Sequence, residues 1–292
     1  MKKTLFTNHG MRGGPRCWEN FWEKCWENIP RMLGARGRAS ALAALLWMAA
    51  LPVLADSLSI ATPRGAWVEA IADFPAGSGP FPAVVLAPGQ AYPMDMPALA
   101  QPARRLVELG IAVYRFDWAY STRTPRGGPS ADLSLELEDI SAVVAAARAD
   151  PRVDRGKLAV GGKSLGSLVA WRAFSADPSL MGGLFLTPLC SRSTAGQAAP
   201  TAVAERNYPG FSAERRPMAF ILGDHDPLCD PSVLYRFAAQ AAGPVRVAVT
   251  GGDHGFENLL LQGAAADRAR ERNIQAVTQF AAGFIADAAA DR

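Results

Sequence analysis

Residues 157–173 read KLAVGGKSLGSLVAWRA. Leu158, Ala159 and Val160 have the character of a buried strand, and residues 165–173 have that of a helix. Between them lies Gly162-Lys163-Ser164-Leu165-Gly166, a G-x-S-x-G pentapeptide. A chain that turns from strand to helix within one residue forces the corner residue into strained backbone geometry. Gly162 and Gly166 are the small flanks that such a corner requires. This geometry lifts the Ser164 hydroxyl out of the sheet. It also sets the Leu165 amide at the positive end of the new helix, facing the place where an oxyanion would develop. Ser164 is the expected nucleophile.

A serine hydroxyl is a poor nucleophile at neutral pH and needs a base within hydrogen-bonding reach, which in turn needs an orienting acid. The chain has three histidines, His9, His225 and His254. His254 stands in Gly251-Gly252-Asp253-His254-Gly255-Phe256, directly after the last expected strand, and is assigned as general base and acid. The acid belongs in the loop after the preceding strand, Leu222-Gly223-Asp224-His225-Asp226-Pro227. Asp226, held by the following proline, is the choice and Asp224 the alternate. His225 is a bystander. The second oxyanion donor is expected from Pro88-Gly89-Gln90, through the amide of Gln90 or of Gly89. The order Ser164, Asp226, His254 is that of α/β-hydrolases and differs from those of the other two common serine hydrolase folds.

The rest of the chain supports a single domain of that α/β fold, a mostly parallel sheet with helices on both faces. Residues 58–61 and 67–74 read as an edge hairpin. Residues 81–87, 111–116, 158–160, 183–186, 218–222 and 245–250 read as further strands. Helices are expected from a cap at Asp95 to Gly110, along Leu133, Leu137, Ile140, Val144 and Ala147, over 232–242, and along Ile274, Val277, Ala281 and Phe284. Residues 189–215 read as a polar connection that contributes to a pocket roof.

The chain has 292 residues, 49% of them hydrophobic and 20% charged, a globular enzyme's composition. Residues 1–55 carry eight Lys or Arg against three Glu, leaving 22 basic and 24 acidic residues beyond them, a net of about −2. No basic stripe with interleaved aromatics is present, so nucleic-acid binding has no support. Residues 1–55 read as an extension plus a secretory signal. The expected true start is Met32, followed by Arg36 and Arg38, an apolar run over 41–54, and cleavage after Ala55. Residues 56–292 are expected to form the hydrolase domain. The expected location is periplasmic or secreted, with no stable membrane span after cleavage; an uncleaved signal would anchor the protein in the membrane. Cys17 and Cys25 fall in the removed segment. Cys190 and Cys229 each follow an expected strand, and export to an oxidising compartment points to a disulfide between them that would hold the acid loop, the alternative being two buried thiols.

From Phe81 to Phe256 the chain resembles an α/β-hydrolase of the dienelactone-hydrolase-like type. LAPGQAYPMDMP, YRFDWAY and GGKSLG resemble more narrowly the KANL/Tex-type subgroup, with its PMD helix start, RFDxxY strand end and GGKS elbow. The resemblance implies an intact triad on a compact scaffold. Dienelactone hydrolases proper use a cysteine nucleophile where Ser164 stands here, so their substrate is not carried over. Leu165 replaces a frequent Met and Ser167 a usual glycine. Arg115, Asp117 and Tyr120 are expected at the pocket edge, either with an Arg-Asp pair holding the loop after their strand or binding an acidic or polar group of the substrate, and Lys163 is expected to be a pocket or structural residue. The expectation is an exported serine hydrolase acting on a small-molecule ester, thioester or similar carbonyl substrate through an acyl-enzyme, with no metal or organic cofactor. The competing reading is a non-catalytic binding or scaffold protein that keeps the fold.

Overall fold

The computed structural model describes residues 54–122, 127–192 and 199–292. The signal-peptide expectation, apart from its final residues Leu54 and Ala55, lies outside the described residues. The chain opens with an antiparallel hairpin of β1 (Leu54–Ala61) and β2 (Trp67–Phe74), Leu54 opposite Phe74 and Ala61 opposite Trp67. β1 begins four residues before Leu58, because Leu54 to Ser57 continue the ladder against Phe74 to Ile71. There follow β3 (Phe81–Ala87), α1 (Pro97–Glu108), β4 (Ala112–Phe116), α2 (Ser134–Ala149), β5 (Val153–Lys163), α3 (Leu165–Ala176) and β6 (Gly183–Leu186). The connection after β6 is not featureless: it holds the short pair β7 (Ser191–Arg192) and β8 (Thr201–Ala202) and one turn of helix, α4 (Ala204–Asn207). The chain ends with β9 (Met218–Gly223), α5 (Pro231–Ala238), β10 (Val245–Thr250) and α6 (Gly263–Ala290).

Eight strands form one sheet in the order β1-β2-β4-β3-β5-β6-β9-β10. The pairs from β4 to β10 are parallel, and only the β1–β2 and β2–β4 pairs are antiparallel. The central strands are continuous apolar runs because both faces are covered. Side chains alternate between the faces. Ala83, Val85 and Ala87 of β3 pack with Val143 of α2, Val169 of α3 and Val233 of α5, whereas Val84 and Leu86 pack with Leu99 of α1 and Val277 of α6. The first of these faces carries an aromatic cluster. Trp171, Phe185, Tyr208 and Phe220 meet at centroid distances of 4.9–6.0 Å and pin the connection after β6 to the sheet.

Two helix starts show why local sequence was only partly readable. Asp230 caps α5, accepting the amides of Ser232 at 2.8 Å and Val233 at 3.4 Å. Asp95 does not cap α1: the cap residue is Met96, and the Ala98 amide is taken by the phenol oxygen of Tyr92 at 2.9 Å. The Asp95 carboxylate lies 3.3 Å from Arg115 instead.

Candidate active site

β5 passes into α3 at Ser164, whose φ of 55° and ψ of −118° lie where a non-glycine residue is strained. Its amide is fixed by the Leu186 carbonyl at 2.9 Å. A Cβ on Gly162 would strike the Gly166 carbonyl, and one on Gly166 would strike the carbonyls of Ala87 and Pro88. Backbone must move for either to be accommodated, since a packed interior has no slack. Gly162→Ala is expected to cost about 3 kcal/mol and most of the activity, a loss that urea unfolding and an ester assay would register.

The structure brings Ser164, His254 and Asp226 together. The Ser164 Oγ is 2.8 Å from His254 Nε2, and His254 Nδ1 is 2.8 Å and 3.0 Å from the two Asp226 oxygens. A carboxylate only accepts, so Nδ1 carries the proton and donates to Asp226, leaving Nε2 to accept from the serine hydroxyl. The Asp226 side chain is fully buried and that of His254 is 23% exposed. The carboxylate is thus shielded from water while the imidazole remains partly accessible. Asp226 is held in turn by the Leu228 amide, 2.9 Å from Oδ1.

Asp224 stands elsewhere. Its Oδ1 accepts from His225 Nδ1 at 2.7 Å and from the Gly252 amide at 2.8 Å, tying down the base of the histidine loop. Burial acts to raise its pKa, but these two hydrogen bonds prevail and hold the carboxyl below its ordinary range. His225, with a largely exposed side chain, lies at the surface beside it. Within the histidine loop, Asp253 Oδ1 accepts the amides of Gly255 at 2.7 Å and Glu257 at 3.0 Å, closing a turn that presents the imidazole.

On the other side of Ser164, Gly89 comes so close that a Cβ built on it lies 3.7 Å from the serine Cβ. The Gly89 amide donates to the Tyr92 carbonyl at 3.2 Å and is therefore already engaged in this arrangement. Leu165 begins α3, a helix of 12 residues. Trp118 Nε1 donates to the Pro88 carbonyl at 3.2 Å, and the Tyr120 hydroxyl to the Gln90 carbonyl at 3.4 Å. Met94 is gripped at both ends, its amide by Asp117 at 2.9 Å and its carbonyl by Arg115 at 2.8 Å. Arg115 also pairs with Asp73 at 3.0 Å. Arg115, Asp117, Trp118 and Tyr120 thus all reach the loop after β3. A cleft of about 810 Å³ opens beside Gln90, with Trp118 and Tyr120 in its wall.

Ser167 has a role that its position alone did not reveal. Its hydroxyl donates to the Ser164 carbonyl at 2.6 Å and accepts from the Tyr208 hydroxyl at 2.8 Å, which itself accepts the Leu189 amide at 3.0 Å. Each hydroxyl donates once, so the chain of bonds runs in one direction from the connection after β6 to the nucleophile corner. Next to Leu189, Cys190 is joined to Cys229 in a disulfide, both residues fully buried. The Leu228 carbonyl accepts the amides of Cys190 and Ser191, each at 3.1 Å. Converting both cysteines to serine should lower stability by about 2–4 kcal/mol, seen in chemical denaturation, and should cut activity by loosening the acid loop.

Among the described residues no cluster of three or more His, Cys, Asp or Glu is arranged to hold a metal ion, and no helix is long and apolar enough to cross a membrane.

Several solved structures share this architecture. XC6422 of Xanthomonas campestris, a lidless α/β serine hydrolase, superposes with a TM-score of 0.55 at 21% identity over 78% of this chain and 94% of its own. An α/β serine hydrolase homologue from Coxiella burnetii gives 0.59 at 16% identity over 80% and 99%. The dienelactone hydrolase of Anabaena variabilis gives 0.59 at 16% identity over 80% and 96%. Curated proteins yield no sequence match. The profile described as an alpha/beta hydrolase domain matches residues 81–285, from the first strand of the parallel sheet to the last helix, and the chain belongs to that family.

Proposed function

We propose that the protein is an exported serine hydrolase that cleaves an ester, thioester or similar carbonyl substrate through an acyl-enzyme on Ser164. The observation that carries this reading is the unbroken relay from the Ser164 hydroxyl through His254 to the buried Asp226. His254 Nε2 takes the hydroxyl proton as Oγ bonds to the substrate carbonyl carbon. The amides of Leu165 and Gln90 hold the resulting oxyanion. As the tetrahedral intermediate collapses, His254 returns the proton to the leaving group, and Asp226 stabilises the imidazolium meanwhile. Water, deprotonated by the same imidazole, then releases the acyl group and restores Ser164. The cleft beside Gln90 receives one portion of the substrate. The reading needs no metal or organic cofactor.

Export is supported by the signal pattern of residues 32–55 and by the buried disulfide, a bond at home in oxidising compartments. Cleavage after Ala55 would remove the first two residues of β1 and leave the ladder from Asp56 onward. The activity is tested by assaying acyl esters and thioesters of increasing chain length. A burst of leaving group matching the enzyme concentration, followed by slower turnover, is the acyl-enzyme's signature. A folded chain that hydrolyses none of them would favour the non-catalytic binding protein.

A further inference from the structure

Lys163 is the last residue of β5, immediately before the nucleophile, and only 2% of it is exposed. A lysine so placed must have partners or be driven to neutrality. Its Nζ donates to the main-chain carbonyl of His254 at 2.9 Å and stands 4.5 Å from the centre of the Tyr92 ring. Tyr92 is itself a junction: its carbonyl receives the Gly89 amide, and its hydroxyl receives the Ala98 amide at the start of α1. Three separate segments thus converge on one ammonium group: the nucleophile corner, the histidine loop and the loop that supplies the oxyanion donor.

We infer that Lys163 is a positioning residue, a latch that holds the His254 loop and the Gly89–Tyr92 loop in register with Ser164. It forms no bond to substrate and transfers no proton; it fixes the backbone that aims His254 and Gln90. The inference rests on the serine hydrolase reading for its catalytic consequence, though the latch itself is a property of the fold. The charged and titratable groups that face Lys163 are Asp226 from the acid loop, Asp253 and His254 from the histidine loop, and Tyr92 from the loop after β3. Burial lowers the lysine pKa to about 8, against the pull of Asp226 and Asp253 to raise it. Above that pH a neutral amine still donates to the His254 carbonyl but loses its attraction to the Tyr92 ring. The latch therefore loosens as pH rises through this value.

The test compares full-length wild type with Lys163→Met, which keeps the bulk and removes the charge and donor, and Lys163→Arg, which keeps both. The expected result for Lys163→Met is a kcat lower by about 30-fold with KM within about threefold, since the aim of reacting groups is lost and substrate contacts are not. Its denaturant midpoint should be at or above that of wild type, because a buried charge has been replaced by an apolar group. The fall in wild-type kcat above about pH 8 should vanish in both variants, and Lys163→Arg should recover part of the rate. Unchanged kcat in Lys163→Met, or a loss matched by a lower denaturant midpoint, would overturn the inference. Hydrogen exchange of the resting chain supplies a readout independent of activity. Peptides containing the Gly89, Asp253 and Phe256 amides, which are bonded in wild type, should exchange faster in Lys163→Met while the rest of the sheet is unaffected. Unaltered exchange there overturns the latch. Faster exchange in a chain that hydrolyses nothing would leave the latch standing and remove the hydrolase reading alone.

Discussion

Ser164→Ala should abolish turnover, with kcat falling about 10⁵- to 10⁶-fold, and His254→Ala should fall nearly as far. The two losses should not add in the double variant. The hydroxyl and the imidazole act through one bond of 2.8 Å, so removing either removes the same nucleophile. The cost to the fold should be small for serine, because Ser164→Ala keeps the backbone at the corner and its amide bond to Leu186. Steady-state rates on an active acyl ester, with circular dichroism to verify folding, decide the matter. Residual activity near wild type in Ser164→Ala would show that another group carries the reaction.

Asp226→Asn should lower kcat by about 10⁴-fold, and Asp224→Asn by less than about tenfold. The contrast arises from where the two carboxylates stand. Asp226 is buried and meets His254 Nδ1 with both oxygens. An amide in its place presents N–H to the imidazole and favours the wrong tautomer, with the proton on Nε2, where it cannot accept from Ser164. Asp224 is half exposed and contacts the histidine loop through the Gly252 amide, so its loss loosens one turn and leaves the tautomer intact. A larger loss at Asp224 than at Asp226 would reverse the assignment of the acid. The pH profiles should separate them as well, since only Asp226→Asn removes the negative charge that stabilises the imidazolium.

The juxtaposition of Ser164, Asp226 and His254 was legible in the sequence because each lies in a loop whose position is set by the strand before it. In a parallel sheet the ends of β5, β9 and β10 lie at one edge, so three short motifs distant in the chain imply one site. The alternation of apolar strands and helices disclosed the layers for the same reason. Contacts between loops escaped. Nothing near Tyr92 announces that its phenol oxygen caps α1, in the place where Asp95 looked the better cap. Ser167 and Tyr208 are 41 residues apart, and their bond exists only because the aromatic cluster folds the connection back onto α3. Lys163 was conspicuous beside the serine, but its partner is a main-chain carbonyl, which no side-chain pattern records. Arg115 and Asp117, close together at the strand end, suggested a grip on the loop leaving β4; that both reach Met94, in the loop after β3, was not legible.

The extension of β1 to Leu54 has a similar origin. Residues 54–57 have mixed polarity and no alternation strong enough to mark a strand, yet the partner β2 offers backbone groups along its full length. Pairing there is driven by the hairpin already formed at the Thr62 turn, where the Ala66 carbonyl accepts the Thr62 amide at 2.8 Å.

The most direct measurement is covalent labelling of the full-length protein by a fluorophosphonate, read by intact mass and by mapping of the modified peptide. Such a probe phosphonylates a serine only where its proton can be taken and the developing oxygen charge held. Stoichiometric modification of Ser164, absent in Ser164→Ala and slowed by orders of magnitude in His254→Ala and Asp226→Asn, is the predicted result. A folded protein that stays unlabelled at Ser164, or that labels equally well without His254, would contradict it.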